Sequence, residues 1–142
     1  MNLADLGQHF SDEDEARAYL EKARWPEGPV CPHCGAMKKI YKLTPKAPPA
    51  PNPARRDDRK RTLRKGVWKC GACRKQFTVT VGTIFEHSHI PLDKWLLAVH
   101  LLCTSKKGST ANDLHRELGV TYKSAWFLER RIRRAISASR LR

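Results

Sequence analysis

Apolar residues recur along this chain at two different spacings. From Val30 to Val81 they come in short runs between turn-forming residues, which predicts short strands. Lys39–Leu43, Val67–Lys69 and Gln76–Val81 are the strand candidates, with Phe77, Val79 and Val81 alternating onto one face of the last. From 91 to 137 the spacing becomes three and four, the period of helices. Pro91 suits a first helical turn, and Leu92, Trp95, Leu96, Val99, Leu102 and Cys103 form one stripe, with Cys103 expected as a small buried residue. Lys106-Lys107-Gly108 ends that helix. Ser109 or Thr110 caps the next, whose apolar positions are Ala111, Leu114 and Leu118 and which breaks at Gly119. Val120 enters the turn and Thr121 caps a third helix, with Ala125, Leu128, Ile132 and Ile136 as its buried stripe. A further helix is predicted over 11–24. Ser11 stands at its N-cap, Asp14 at the capping-box position, and Asp12 to Glu15 at the positive end of the helix dipole. Trp25-Pro26-Glu27-Gly28-Pro29 ends it.

Two cysteine pairs sit inside the strand region, Cys31-Pro32-His33-Cys34 and Cys70-Gly71-Ala72-Cys73. The C-x-x-C spacing lets two thiolates of one tight turn reach the same ion. Two such turns close a tetrahedral Zn²⁺ shell with no open position, and a closed shell is structural. Cys31, Cys34, Cys70 and Cys73 are therefore the predicted metal ligands. His33, inside the first turn, could replace a thiolate, but with four cysteines at hand it reads as a bystander. Four of five cysteines in ligand pairs fit a reducing cytosol, with two disulfides as the alternative. Two knuckles and a small antiparallel sheet outline a zinc ribbon, a unit too small to hold together without its metal.

Between the knuckles lie 35 residues, against a usual gap of about 15–20. The surplus is a proline-rich stretch, Thr44 to Pro53, followed by an Arg- and Lys-rich stretch, Ala54 to Lys65. Proline removes ladder donors and like charges repel, so 44–65 is expected to be a mobile excursion at a hairpin tip. It reads equally as a segment brushing phosphate backbone and as a solvated insertion with no role.

Charge sharpens the functional reading. Residues 1–30 carry seven acids and three bases, whereas residues 31–142 carry 25 bases and seven acids. A cationic surplus of that size attracts polyanions, nucleic acid first among them. No run of about 18 apolar residues exists, which argues against a membrane partner, and residues 1–10 lack the marks of a signal peptide.

A short helix, a glycine-containing turn and a second helix with its own apolar stripe outline a helix-turn-helix. In that arrangement the second helix lies in the major groove with its N-terminal residues at base edges. Here those residues are Thr121, Tyr122, Lys123 and Ser124, followed by Arg130, Arg131, Arg133 and Arg134 for phosphates. His115 occupies a place where the motif usually has a small residue. A trihelical bundle with an exposed basic face is the alternative. His87 and His89 read as surface residues. After Cys73 the acids are Glu86, Asp93, Asp113, Glu117 and Glu129, scattered as caps and surface charge, and they do not outline a Mg²⁺-dependent nuclease centre.

The order of these parts resembles the start of a bacterial insertion-sequence transposase of the group that opens with a zinc ribbon, the ISXO-two-like group. The resemblance begins with Phe10-Ser11-Asp12-Glu13-Asp14-Glu15-Ala16, Tyr19-Leu20 and Arg24-Trp25-Pro26-Glu27-Gly28, leading into Cys31-Pro32-His33-Cys34-Gly35. It continues through Cys70 and Cys73, Gln76-Phe77 and Gly82-Thr83-Ile84-Phe85-Glu86. It then takes in Pro91-Leu92, Lys94-Trp95, Lys107-Gly108-Ser109, Glu117-Leu118-Gly119-Val120, Ala125-Trp126 and Arg131-Ile132-Arg133. The stretch 44–65 and His115 depart from the pattern. The resemblance implies a region that recognises the terminal inverted repeats of a transposon. It further implies an RNase H-like domain beyond Arg142 that cuts and joins DNA with Mg²⁺, so no catalytic residue transfers to this chain. The chain then reads as a truncated copy, half of a split element or a retained DNA-binding piece.

The predicted organisation is α+β. An N-terminal helix and lead-in occupy 1–29, a zinc ribbon 30–86 with the insertion 44–65, and a helix-turn-helix DNA-binding module 87–142. The expected cofactor is structural Zn²⁺ and the expected partner double-stranded DNA at transposon ends. A separately encoded catalytic domain and self-association are further partners, and the expected place is the bacterial cytoplasm at the nucleoid. Three rivals remain: a stand-alone zinc-dependent regulator of the element, a protein-interaction module whose ribbon docks a partner, and a complete enzyme, whose Mg²⁺-dependent strand cleavage by this chain alone is not expected.

Overall fold

A computed structural model describes residues 12–44, 65–105 and 108–139. Most of the expected excursion (45–64), the Ser11 cap and Lys106-Lys107 lie outside the described residues. The architecture is α+β, with four helices and a three-stranded antiparallel sheet among the described residues. In chain order these are α1 (Glu13–Arg24), β1 (Ile40–Leu43), β2 (Val67–Cys70), β3 (Gln76–Phe77), α2 (Leu92–Thr104), α3 (Ala111–Leu118) and α4 (Tyr122–Ser139). The chain forms two compact units, Leu20–Val81 and Gly82–Arg142 together with Met1–Tyr19.

The first unit is the ribbon, to which α1 belongs from Leu20 onward. Acids Glu13, Asp14 and Glu15 open α1 and Lys22 and Arg24 close it, as the helix dipole favours. Its end does more than lead in. Leu20 and Trp25 join a core with Cys31, Cys70, Phe77 and Val79, so the lead-in expected over 1–29 contributes to the ribbon. Trp25 meets Trp68 and Phe77 edge to face, with ring centroids 6.0 and 5.8 Å apart. The sheet order is β1-β2-β3, with Ile40 opposite Cys70, Leu43 opposite Val67, and Trp68 opposite Phe77.

The strand expected over Gln76–Val81 stops at Phe77. Its alternation is real, because Val79 is fully buried and Val81 half-buried. The ladder ends for want of a partner strand. The Arg24 guanidinium instead donates to the carbonyls of Val79 and Val81, at 2.6 and 2.7 Å, and the Val81 N–H turns back to the Thr78 carbonyl at 3.2 Å.

The second unit is built around Trp95, which is 1 % exposed. Its indole N–H donates to Ser88 Oγ at 2.9 Å, and its ring meets Phe85 and Phe127 edge to face. Leu92, Trp95 and Ala98 are the buried residues of α2. Cys103 is exposed, against the expectation of burial. Nearly every residue from Trp95 to Leu102 is apolar, so spacing alone did not fix which edge of α2 faces inward.

Thr110 caps α3 with a full capping box, its hydroxyl accepting from the Asp113 N–H while the Asp113 carboxylate accepts from the Thr110 N–H. Gly119 ends α3 in the left-handed conformation, at φ 63°. Thr121 Oγ1 accepts from the Ser124 N–H at 3.3 Å and so caps α4. Ala111, Leu114 and Leu118 of α3 and Ala125, Leu128 and Ile132 of α4 are buried where these helices pack on each other and on α2. Ile136, the last residue of the expected stripe, is half-buried.

Candidate metal centre and nucleic-acid interface

The two cysteine turns repeat one backbone design. In the first, the Gly35 N–H donates to the Cys31 carbonyl at 2.9 Å and the Cys31 N–H to the Ala36 carbonyl at 3.0 Å. In the second, the Cys70 N–H donates to the Lys75 carbonyl at 3.0 Å. Each turn has a left-handed residue directly after its second cysteine. Gly35 fills that place at φ 73° and Arg74 at φ 61°. Gly71 carries a different constraint. Its N–H donates to the Lys39 carbonyl at 2.7 Å, and a Cβ there would sit 2.8 Å from that oxygen.

These turns bring Cys31, Cys34, Cys70 and Cys73 together, all four sulfurs lying within 4.8 Å of one another. Cys31 and Cys73 are 3.7 Å apart, as are Cys34 and Cys70. That is far beyond a disulfide bond of about 2.05 Å. It is close to the edge of about 3.8 Å that a tetrahedron of thiolates about 2.3 Å from Zn²⁺ requires. The four thiols are free, and the donor set and spacing fit a tetrahedral soft-ligand ion. His33 is exposed and outside the cluster.

The sulfurs differ electrostatically. Burial pushes the Cys31 thiol up, but the N–H groups of Cys34 and His33 outweigh it, with help from neighbouring sulfurs, and bring it down to about 6. At Cys34 the Ala36 N–H acts downward, yet burial and the other three thiols carry it up to about 11. Four thiols this close cannot all ionise without a cation among them, which is what a metal supplies.

The support around the cluster was not legible as function. Glu21 accepts from the Trp68 indole N–H at 3.1 Å and pairs with Lys42 at 2.9 Å. The Lys42 ammonium in turn lies over the Trp68 ring, 5.0 Å from its centroid. With Arg24 this makes the last turn of α1 a polar clamp on the sheet and on the segment that follows β3. Its partners are 21 to 57 residues distant in sequence, so no local pattern marks them. Arg74 could have been found, because aligning the two C-x-x-C turns places it where Gly35 stands.

The second candidate surface is on α4. Thr121, Tyr122 and Lys123 are exposed and Ser124 half-buried. Thr121 and Ser124 share a hydroxyl hydrogen bond at 2.9 Å, so they are capping residues first. Lys123, Arg130 and Arg134 are exposed, and among the described residues none of them has an ion-pair partner. Arg130 lies over the Trp126 ring at 4.6 Å and Arg131 over Phe127 at 5.4 Å. Arg133 is differently placed. It pairs with Glu129 at 2.9 Å and donates to the Ser109 carbonyl at 3.0 Å, tying α4 to the start of α3. His115 is exposed and hydrogen-bonds the Val120 carbonyl across the turn, while the buried mid-helix residue of α3 is Leu114.

Three of the acids after Cys73 have local partners. Glu86 accepts from the Gly82 N–H at 3.0 Å, Asp113 belongs to the capping box, and Glu129 pairs with Arg133. His87 and His89 are exposed. No helix among the described residues is long and apolar enough to cross a membrane.

No solved structure matches the chain. It is 30% identical over 131 residues to an uncharacterized protein in transposable element ISH50 of Halobacterium salinarum. The match covers 92% of this chain and 38% of that relative, so the chain spans well under half of the relative's length. The segment that carries both cysteine turns, residues 11–76, matches the transposase zinc-ribbon domain of IS1595.

Proposed function

We propose that this chain is the DNA-recognition part of a transposase of the ribbon-initiated type. The observation that carries the reading is the division of α4 into two sides. Ala125, Leu128 and Ile132 are buried against α3 and α2, while Lys123, Arg130 and Arg134 stand exposed with no carboxylate partner among the described residues. A short capped helix, a three-residue turn and this helix have the proportions of a helix-turn-helix that lays α4 in the major groove. The match of residues 11–76 and the relative encoded in a transposable element support the setting.

In this reading Cys31, Cys34, Cys70 and Cys73 hold structural Zn²⁺, which folds the ribbon and takes no part in chemistry. The target is the terminal inverted repeat of the element. Mg²⁺-dependent cutting and joining belong to a catalytic domain outside residues 1–142. Lys123 and Arg130 reach base edges and Arg134 reaches phosphate. Tyr122 and Arg131 flank that surface on opposite sides of α4. Thr121, Ser124 and Arg133, first expected as contacts, hold α4 in position.

The test is a gel-shift titration of the zinc-loaded chain on duplexes carrying the element's ends, against scrambled duplexes, at several salt concentrations. Arg134→Ala is expected to weaken binding to all duplexes alike and to reduce the salt slope by about 1. Lys123→Ala is expected to cost about 1–3 kcal/mol on the end sequence and to narrow its margin over scrambled DNA. Equal affinity for both duplexes in the wild type would refute end recognition.

A further inference from the structure

Trp126 and Tyr122 are large aromatics that α4 leaves in solvent, 45 % and 55 % exposed. They lie four residues apart and so share a strip of the helix surface. The strip continues one turn on to Arg130, whose guanidinium lies 4.6 Å from the Trp126 ring centroid. Phe127, 39 % exposed, borders it but is held from behind by Trp95. The basic face thus has an apolar flank, and the sequence pattern, read for cations, passed over Trp126.

We infer that Trp126, with Tyr122 beside it, is a specificity-determining residue that packs on thymine C5-methyl groups in the major groove. The inference rests on the proposal that α4 enters that groove. Charge argues for a duplex over a second copy of this chain. Helix α4 carries Lys123, Arg130, Arg131, Arg133 and Arg134 against Glu129 alone, so two such faces repel. A duplex answers both features. Its phosphates meet the cations, and the thymine methyl is the apolar group that its major groove offers. The indole also fixes Arg130. A guanidinium stacked on a ring has fewer conformations to lose when it pairs with a base edge. Phosphate contacts alone would place α4 without reading sequence, whereas an indole on a methyl separates T·A from C·G.

The experiment starts from duplexes that the zinc-loaded full chain selects out of a random-sequence library. Each thymine of the selected site is then replaced by uracil, which removes the methyl and nothing else. Wild-type chain is expected to lose about fourfold in affinity at one or more positions, the value of one buried methyl group. Trp126→Ala is expected to bind the original duplex more weakly, to be indifferent to uracil at those positions, and to keep the wild-type salt slope. Trp126→Phe retains an apolar ring and is expected to recover part of the sensitivity. Because Trp126 is exposed, the alanine variant should keep its metal content and helical circular dichroism. A selected site with no required thymine, or a Trp126→Ala variant as sensitive to uracil as the wild type, overturns the inference and leaves DNA recognition standing. Failure of the wild type to bind any duplex overturns both.

Discussion

The ribbon and the helical unit solve the same problem with different means. In Gly82–Arg142 three helices bury Leu92, Trp95, Ala98, Ala111, Leu114, Leu118, Ala125, Leu128 and Ile132, and interdigitating apolar side chains hold the unit. In Leu20–Val81 the core cluster of buried residues is Trp25, Cys31, Cys70, Phe77 and Val79, and two of those five are sulfurs of the metal cluster. What the ribbon lacks in apolar area is made up by ligand bonds and by the polar clamp of Glu21 and Arg24. The lesson is one of cause. A packed core spreads its stability over many contacts, whereas a stapled unit concentrates much of it in four ligands and one ion.

The largest effect expected is therefore metal removal. A chelator, or Cys70→Ser, should unfold the ribbon and leave the helical unit folded, because structural Zn²⁺ in small units contributes about 10–16 kcal/mol at neutral pH. Amide spectra should lose the dispersed signals of Val67–Cys70 while those of Leu114 and Leu128 stay in place. An unchanged melting curve after chelation would show that no metal holds the ribbon. Loss of both sets of signals together would show that the two units are not independent.

A smaller effect tests the clamp. Arg24→Met keeps much of the side-chain length and deletes the charged donor to the Val79 and Val81 carbonyls. A hydrogen bond to a charged group is worth about 1.5–3 kcal/mol, and the cost should fall on the ribbon alone. It would be read as faster metal loss to a competing chelator, with the melting of the helical unit unaltered. Wild-type metal retention in this variant would mean that the ligand bonds need no support from α1.

Local patterns were legible in the sequence and distant ones were not. The C-x-x-C turns, the caps at Thr110 and Thr121 and the break at Gly119 each depend on residues a few positions apart, and each stands where the spacing put it. The strand beyond Phe77 misled because alternation records burial, not ladder partners, and the Val79 and Val81 carbonyls went to a side chain more than 50 residues away. Cys103 misled because α2 is apolar around much of its circumference, leaving the choice of inner edge to Ser88, Phe85 and Phe127, which gather around Trp95. On α4 the cations were visible as a group. Their division into capping, bracing and exposed residues was not, since Arg133 takes its role from the Ser109 carbonyl.

The smallest effect distinguishes the units by pH. Asp113 accepts from the Thr110 N–H and hydroxyl, with Arg116 nearby, and these hold its carboxyl below the usual carboxylate range. A lowered value in the folded state means that ionisation favours folding. The contribution is complete above the ordinary carboxylate pKa of about 3.9 and disappears as pH falls through the lower folded value. Asp113→Asn should therefore be less stable than wild type near neutrality and converge with it in acid. Thr110→Ala, which removes one side of the capping box, should cost about 0.5–2 kcal/mol near neutrality. Acid also reprotonates thiolates and strips metal from the ribbon, so the measurement must follow the helical unit alone, through the amides of Leu114 and Leu128. If the Asp113→Asn and wild-type curves run parallel down to the acid limit, the capping box contributes nothing through charge. The helical unit would then draw nothing from this charge, and the contrast with the ribbon would be sharper still.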